Sequence, residues 1–234
     1  AAGGICVGIN SALGEAGFNL ICADLPGEKL ENEVARIREL GATATSLPID
    51  LASDTSISQA IGVLENSGVA VDALINAAGV LDRKFMKDLE VKDFENALQI
   101  NVVAPYNLIK RLAPAMVSQG WGRIINISSV NGQKGQFGQS NYSTAKAGLH
   151  GFTMALSQEL ASKGVTVNTV SPGYIGTDMV KAIREDVLEK IVAGVPVKRL
   201  GTPEEIASIC CWIASDDGGY ATGADFSLNG GLHT

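Results

Sequence analysis

The stretch Gly3–Asp24, GGICVGINSALGEAGFNLICAD, decides how the chain is read. A glycine-rich turn, Gly3–Asn10, opens a segment with helical spacing. An apolar run, Phe18–Ala23 (FNLICA), follows and ends on an acidic residue. Glycines ahead of a helix let the backbone approach a phosphate at the helix N-terminus. Gly4, Gly8 and the adjoining Ile9 stand at that place. Asp24, twenty residues after Gly4, can accept hydrogen bonds from both hydroxyls of an adenosine ribose. Each feature alone has a plainer alternative: an ordinary glycine turn, or an Asp that caps a helix.

Further along the chain the same alternation recurs. Apolar runs stand at Ala44–Ile49, Ala73–Ala77, Arg123–Ile127, Val165–Val170 and Asp225–Leu228. Continuous rather than alternating apolar runs indicate strands covered on both faces. Helices are predicted over Gly8–Ala16, Glu28–Leu40, Ser53–Asn66, Val91–Ser118, Tyr142–Ser162, Asp178–Ala193 and Pro203–Ala214. The pattern is that of an α/β protein, a doubly wound parallel sheet with helices on both faces. No linker or repeat interrupts it, so residues 1–234 read as one domain. A first strand is expected before Ala1, because Gly4 already belongs to a strand–helix turn.

The 234 residues include 18 Lys+Arg and 25 Asp+Glu, a net charge of −7. That acidic balance argues against nucleic acid as a partner. No apolar run reaches the roughly 18–20 residues that span a bilayer, so no membrane partner is expected. No Arg-rich or signal-like leader opens the chain. Cys6, Cys22, Cys210 and Cys211 form no CxxC pair and read as small core residues in a reducing compartment, hence a cytoplasmic protein. His150 and His233 are too few for a histidine metal site, and no metal is expected.

Ligands of doubly wound sheets bind at the carboxyl ends of the strands. Besides Asp24, that edge carries, counting the strand expected before Ala1, Asp50 after the third strand and Asn76-Ala77-Ala78-Gly79 after the fourth. It also holds the chemistry. Tyr142 and Lys146, at i and i+4, share one helix face, and Ser129 ends the fifth strand. A lysine near a phenol favours the phenolate. Such a tyrosine can exchange a proton with an oxygen while hydride moves at the adjacent carbon. Ser129 would hydrogen-bond the same oxygen, and Asn101 could hold a water linking Lys146 to solvent. A bare YxxxK is common by chance; the ordered combination is not.

With these pieces in place the chain resembles the short-chain dehydrogenase/reductase family, whose Rossmann-type fold covers essentially its whole length. The matching motifs are the Gly3–Asn10 turn, Asn76–Gly79 (NAAG), Asn101, Ser129, Tyr142–Lys146 (YSTAK) and Pro172–Thr177 (PGYIGT). The resemblance implies Asn101, Ser129, Tyr142 and Lys146 as the catalytic set. It also implies that Pro172, Gly173 and Thr177 approach the nicotinamide and that Asp50 meets the adenine. One departure is Asn10, which replaces the glycine that usually closes the turn.

Gly120–Arg123, Ser129–Ser143, Lys146–Met154 and Asp225–His233 look most like the acetoacetyl-CoA reductases of the polyhydroxyalkanoate pathway. That implies reduction of a 3-oxoacyl thioester, with Gln136, Phe137, Gln139 and Tyr174 around the acyl group. A polar loop is the plainer reading of Gln136–Gln139. Alternatives are a 3-oxoacyl-acyl-carrier-protein reductase, a small-alcohol dehydrogenase or an idle nucleotide-binding protein. The basic residues Lys181, Arg184, Lys190, Lys198 and Arg199 could attract a phosphate-bearing carrier. A 2′-phosphate needs a nearby cation, and neither Val7 nor Ala23–Pro26 supplies one. NAD(H) is therefore favoured through Asp24, with NADP(H), the habit of that branch, as the alternative. The apolar surface of the long helices, with the resemblance, implies a homotetramer.

Overall fold

Parallel strands form where the apolar runs stand, in a computed structural model that describes residues 1–177, 180 and 183–234. In chain order the elements are α1 (Gly4–Glu15), β1 (Leu20–Asp24), α2 (Glu28–Glu39), β2 (Ala44–Pro48), α3 (Asp54–Ser67), β3 (Ala73–Asn76) and α4 (Val91–Leu98). Then come a π-helical turn (Gln99–Val103), α5 (Ala104–Gln119), β4 (Gly122–Ile127), α6 (Val130–Lys134), α7 (Ser140–Leu160) and β5 (Val165–Pro172). The last are α8 (Glu185–Gly194), α9 (Pro203–Ala214) and β6 (Asp225–Leu228). The start of the predicted Asp178–Ala193 helix, and Lys181, lie outside the described residues.

The strand pairs are parallel, in the order β1-β2 and β3-β4-β5-β6. The doubly wound parallel arrangement expected from the sequence is the one found, with helices on both faces. Strands β4 and β5 are buried along their whole length. Their alternate residues serve opposite layers, as the two-residue period requires. Ile125, Ile127 and Val170 pack with Ile9 and Leu13 of α1 and Ile206 and Ile213 of α9. Ile124, Val165 and Val167 pack with Ile109 and Met116 of α5 and Leu160 of α7. Each face of the sheet thus carries its own apolar core, and the functional groups are left to the carboxyl edge.

Helix α1 begins at Gly4, four residues earlier than predicted. Gly8 therefore lies in its second turn, against α9. A Cβ on Gly8 would stand 2.8 Å from the Pro203 Cβ and 2.9 Å from its carbonyl carbon. The predicted Val91–Ser118 helix runs through, but a π-helical turn interrupts it around Asn101; such turns widen a helix locally.

Two helical glycines should then respond with opposite sign. Gly62 in α3 faces open space, so Gly62→Ala should stabilise by about 0.5–1 kcal/mol through helix propensity alone. Gly8→Val should destabilise by about 1–3 kcal/mol through overpacking against Pro203. Urea midpoints of the two variants check the pair; a stabilised Gly8→Val protein would refute the close α1–α9 contact.

Candidate active site

At the cofactor edge, Gly3 caps α1 and Gly4 opens it, leaving the first amide N–H groups without intrahelical partners. A Cβ on Gly4 would lie 2.6 Å from the Thr177 Cβ. The segment after β5 therefore closes directly on the helix start. Gly8 and Ile9 do not face this end: Gly8 meets Pro203 and Ile9 is core. Asn10 closes no turn either, since its Nδ2 donates to Glu33 Oε1 at 2.8 Å and to the Ala1 carbonyl at 3.1 Å. The residue that follows Gly4-Ile5 in the first turn is Cys6, whose thiol burial pushes up in pKa. Two glycines four apart fit a turn and a helix–helix contact equally well, which is why spacing misplaced Gly8.

Asp24 ends β1. Its Oδ2 accepts from the Ala1 nitrogen at 2.6 Å and the Ala2 N–H at 2.8 Å, and its Oδ1 from the Leu25 N–H at 2.8 Å. Burial raises the carboxyl, but these donors outweigh it and hold it below the usual range. Arg36 Nη2 and Nε are spent on Glu33 at 2.7 and 2.8 Å, and its Nη1 on Ser11 at 2.9 Å. Asp50 Oδ1 accepts from the Ala52 N–H at 2.9 Å, beside the carboxyl end of β2. Asn76 turns inward: its Nδ2 donates to Asn126 Oδ1 at 2.9 Å, bracing β3 to β4.

Ala77–Gly79 continues over the catalytic face. A Cβ on Gly79 would stand 2.7 Å from Asn101 Oδ1 and 3.2 Å from Lys146 Nζ. Asn101 is buried, and its Nδ2 donates to the Ala97 and Val80 carbonyls. Its Oδ1 is buried without a partner. Lys146 is only 3% exposed, and its Nζ donates to the Ile127 carbonyl at 2.8 Å. Burial pushes its pKa down to about 8. The Tyr142 ring centre lies 5.6 Å from that Nζ, and the Tyr142 hydroxyl hydrogen-bonds Ser129. The expected lowering of the tyrosine pKa is not what this geometry gives. Burial raises it, the Ser129 bond offsets only part, and the ammonium is directed at Ile127.

Past β5, the Gly173 N–H donates to the Leu228 carbonyl at 2.9 Å, and a Cβ there would lie 2.7 Å from the Asn229 Cα. The chain thus crosses from β6 at Pro172 to α1 at Thr177. The residues present fit a nicotinamide cofactor: the first N–H groups of α1 lack intrahelical partners, and the turn after β3 passes over Lys146 and the unpartnered Asn101 Oδ1.

The four expected acyl residues are held by different neighbours. Tyr174 lines a pocket of about 430 Å³ with Val195, Val197 and Leu228. Phe137 is 85% exposed and stacks on Phe85, ring centres 5.3 Å apart. Both edge a groove of about 760 Å³ beside Ser140, Ser143 and Thr144 of α7. Phe85 escaped sequence reading; the adjacent Phe85-Met86 in a polar loop was its only signal. Gln136 Oε1 accepts from Lys134 Nζ at 3.0 Å, and Gln139 Oε1 from Asn131 Nδ2 at 2.9 Å.

The basic cluster is largely neutralised locally: Arg184 pairs with Asp186, Arg199 with Glu205, and Lys198 caps the Ala193 carbonyl. His150 contacts Ser171 and lies 3.6 Å from Asp225. Among the described residues, no group of three metal-ligating side chains occurs and no helix is long and apolar enough to cross a membrane.

Comparison with known proteins places this geometry. Residues 1–233 match the family model described as enoyl-(acyl carrier protein) reductase. The chain is 52% identical over 232 residues to the acetoacetyl-CoA reductase of Cupriavidus necator, covering 99% of this chain and 94% of that one. It is 36% identical to the 3-oxoacyl-[acyl-carrier-protein] reductase FabG of Aquifex aeolicus, covering 98% and 93%. A crystal structure of an Agrobacterium tumefaciens protein described as a gluconate dehydrogenase superimposes with a TM-score of 0.95 at 27% identity, covering 99% of this chain and 92% of that one. With Ser129, Tyr142 and Lys146 gathered at the carboxyl edge of a parallel sheet, and with relatives of this closeness, the chain belongs to the short-chain dehydrogenase/reductase family of nicotinamide-dependent enzymes.

Proposed function

We propose that this protein is a cytoplasmic, NADH-dependent reductase that converts acetoacetyl-CoA to 3-hydroxybutyryl-CoA. The reading is carried by the contact of Ser129 with Tyr142 above a buried Lys146, in a chain 52% identical to an acetoacetyl-CoA reductase. The Gly4 helix end, Asp24, Asp50, Ala77–Gly79, Lys146 and Pro172–Thr177 would hold the cofactor. The hydride comes from that bound nicotinamide. Tyr142 donates its hydroxyl proton to the keto oxygen, and Ser129 holds the same oxygen. Asn101, whose Oδ1 is buried without a partner, would hold a water that links Lys146 to solvent and returns the proton.

Lys146 is protonated below its pKa of about 8. Reductive kcat should therefore fall as pH rises through about 8, and Lys146→Met should lose both that inflection and cofactor affinity. Tyr142→Phe should lower kcat by about 10²–10⁴ while leaving cofactor binding nearly unchanged. A Phe variant with most of its turnover would remove Tyr142 from this role.

The NADH preference rests on Asp24 at the end of β1 and on Arg36 being committed to Glu33. A 2′-phosphate would meet a carboxylate and no free guanidinium in this network. A substrate panel run with both NADH and NADPH tests function and cofactor together. Acetoacetyl-CoA with NADH should give the highest kcat/KM, and Asp24→Ala should lower the NADH/NADPH ratio. Preference for an acyl-carrier-protein thioester would favour the second reading, 3-oxoacyl-acyl-carrier-protein reductase, and an NADPH preference would overturn the Asp24 argument.

Exposed Val103 and Tyr106 on the π-turn and α5, and Met154 on α7, extend beyond the core-facing stripes. A homotetramer would cover them, and light scattering at micromolar concentration should report four chains rather than one.

A further inference from the structure

We infer that Asn131 is a positioning residue that turns the Gln139 amide so that its NH₂ group, not its carbonyl, meets the substrate's oxygen. The inference rests on the acyl-thioester reading above, for which the sequence resemblance implies that Gln139 lies beside the acyl group.

Asn131 lies in the first turn of α6, two residues after Ser129. It acts in two directions. Its backbone N–H donates to Ser129 Oγ at 3.1 Å, and its side-chain Nδ2 donates to Gln139 Oε1 at 2.9 Å. Gln139 is 3% exposed and precedes Tyr142 by three residues at the start of α7. With Oε1 engaged, the Gln139 amide has only Nε2 left to offer, and no described residue takes its hydrogens. A keto or thioester oxygen is an acceptor and needs a donor.

Reversing the pair would have Gln139 Nε2 donate to Asn131 Oδ1. It would strand Asn131 Nδ2, with two hydrogens, away from any acceptor. In the observed setting the stranded atom is Asn131 Oδ1, a single buried acceptor without a partner. Buried orphan donors are the rarer and costlier case. One residue thereby sets both polar groups flanking Tyr142: Ser129 through its backbone and Gln139 through its side chain.

Asn131→Asp keeps the shape and the backbone N–H but offers only acceptors to Gln139. Gln139 then gives its NH₂ to the new carboxylate and presents its carbonyl to the substrate. At saturating NADH the KM for acetoacetyl-CoA should rise about tenfold, with kcat and the NADH Kd little changed. Asn131→Leu removes the donor without adding charge and should raise KM in the same direction, so the comparison survives if the Asp variant folds poorly. Gln139→Leu should raise KM by itself, and adding Asn131→Asp to it should raise KM no further. An unchanged KM in both Asn131 variants, or a full Asn131→Asp effect persisting in the Gln139→Leu background, overturns the inference alone. A wild-type protein inactive on acetoacetyl-CoA overturns the functional reading, and this inference with it.

Discussion

A buried ammonium at the end of a buried strand organises the molecule's working end. Lys146 Nζ donates to the Ile127 carbonyl at 2.8 Å, while the Ser128 hydroxyl donates to the Lys146 carbonyl at 2.9 Å. The end of β4 and the second turn of α7 thus hold each other by reciprocal bonds. An ammonium out of water is costly, and the depressed pKa of Lys146 is the measure of that cost. Neighbouring backbone must come close for the clamp to exist. Gly132 provides this for α6: a Cβ there would stand 2.8 Å from the Lys146 carbonyl carbon. Gly79 provides it for the turn after β3.

From that clamp the placement of the other groups follows. Tyr142, one turn earlier on α7, is drawn over the same strand end, where Ser129 meets its hydroxyl. The buried chain Asn76–Asn126–Thr153–Thr169 ties β3, β4, α7 and β5 together beneath it. Such a network, satisfied link by link, holds strand ends in register more rigidly than apolar contact alone. The π-helical turn serves the same end from the other side, placing Asn101, like Lys146, against Gly79.

The outer parts of the site are organised differently. Among the described basic residues after β5, Arg184 and Arg199 are paired with Asp186 and Glu205, and Lys198 donates to the Ala193 carbonyl. Phe85 and Phe137 stack on each other on two loops joined by the Lys84 N–H and the Gly138 carbonyl at 3.1 Å. Their exposed apolar edge opens beside Ser140, Ser143 and Thr144 of α7.

Local pattern alone determined much of this protein. Periodicity located the strands and helices, with β6 and α9 matched residue for residue, because covered parallel strands and amphipathic helices each leave their own spacing in the chain. Tyr142 and Lys146 were legible because i and i+4 share a helix face whatever the helix packs against. Tertiary structure alone decided the rest. Gly4 and Gly8 have the same spacing in a turn or at a helix contact, and only the approach of Pro203 assigns Gly8 to packing. The direction of the Lys146 ammonium and the rise in the Tyr142 pKa both depend on partners distant in sequence. Burial and hydrogen-bond direction belong to the environment those partners create, and no local spacing encodes it.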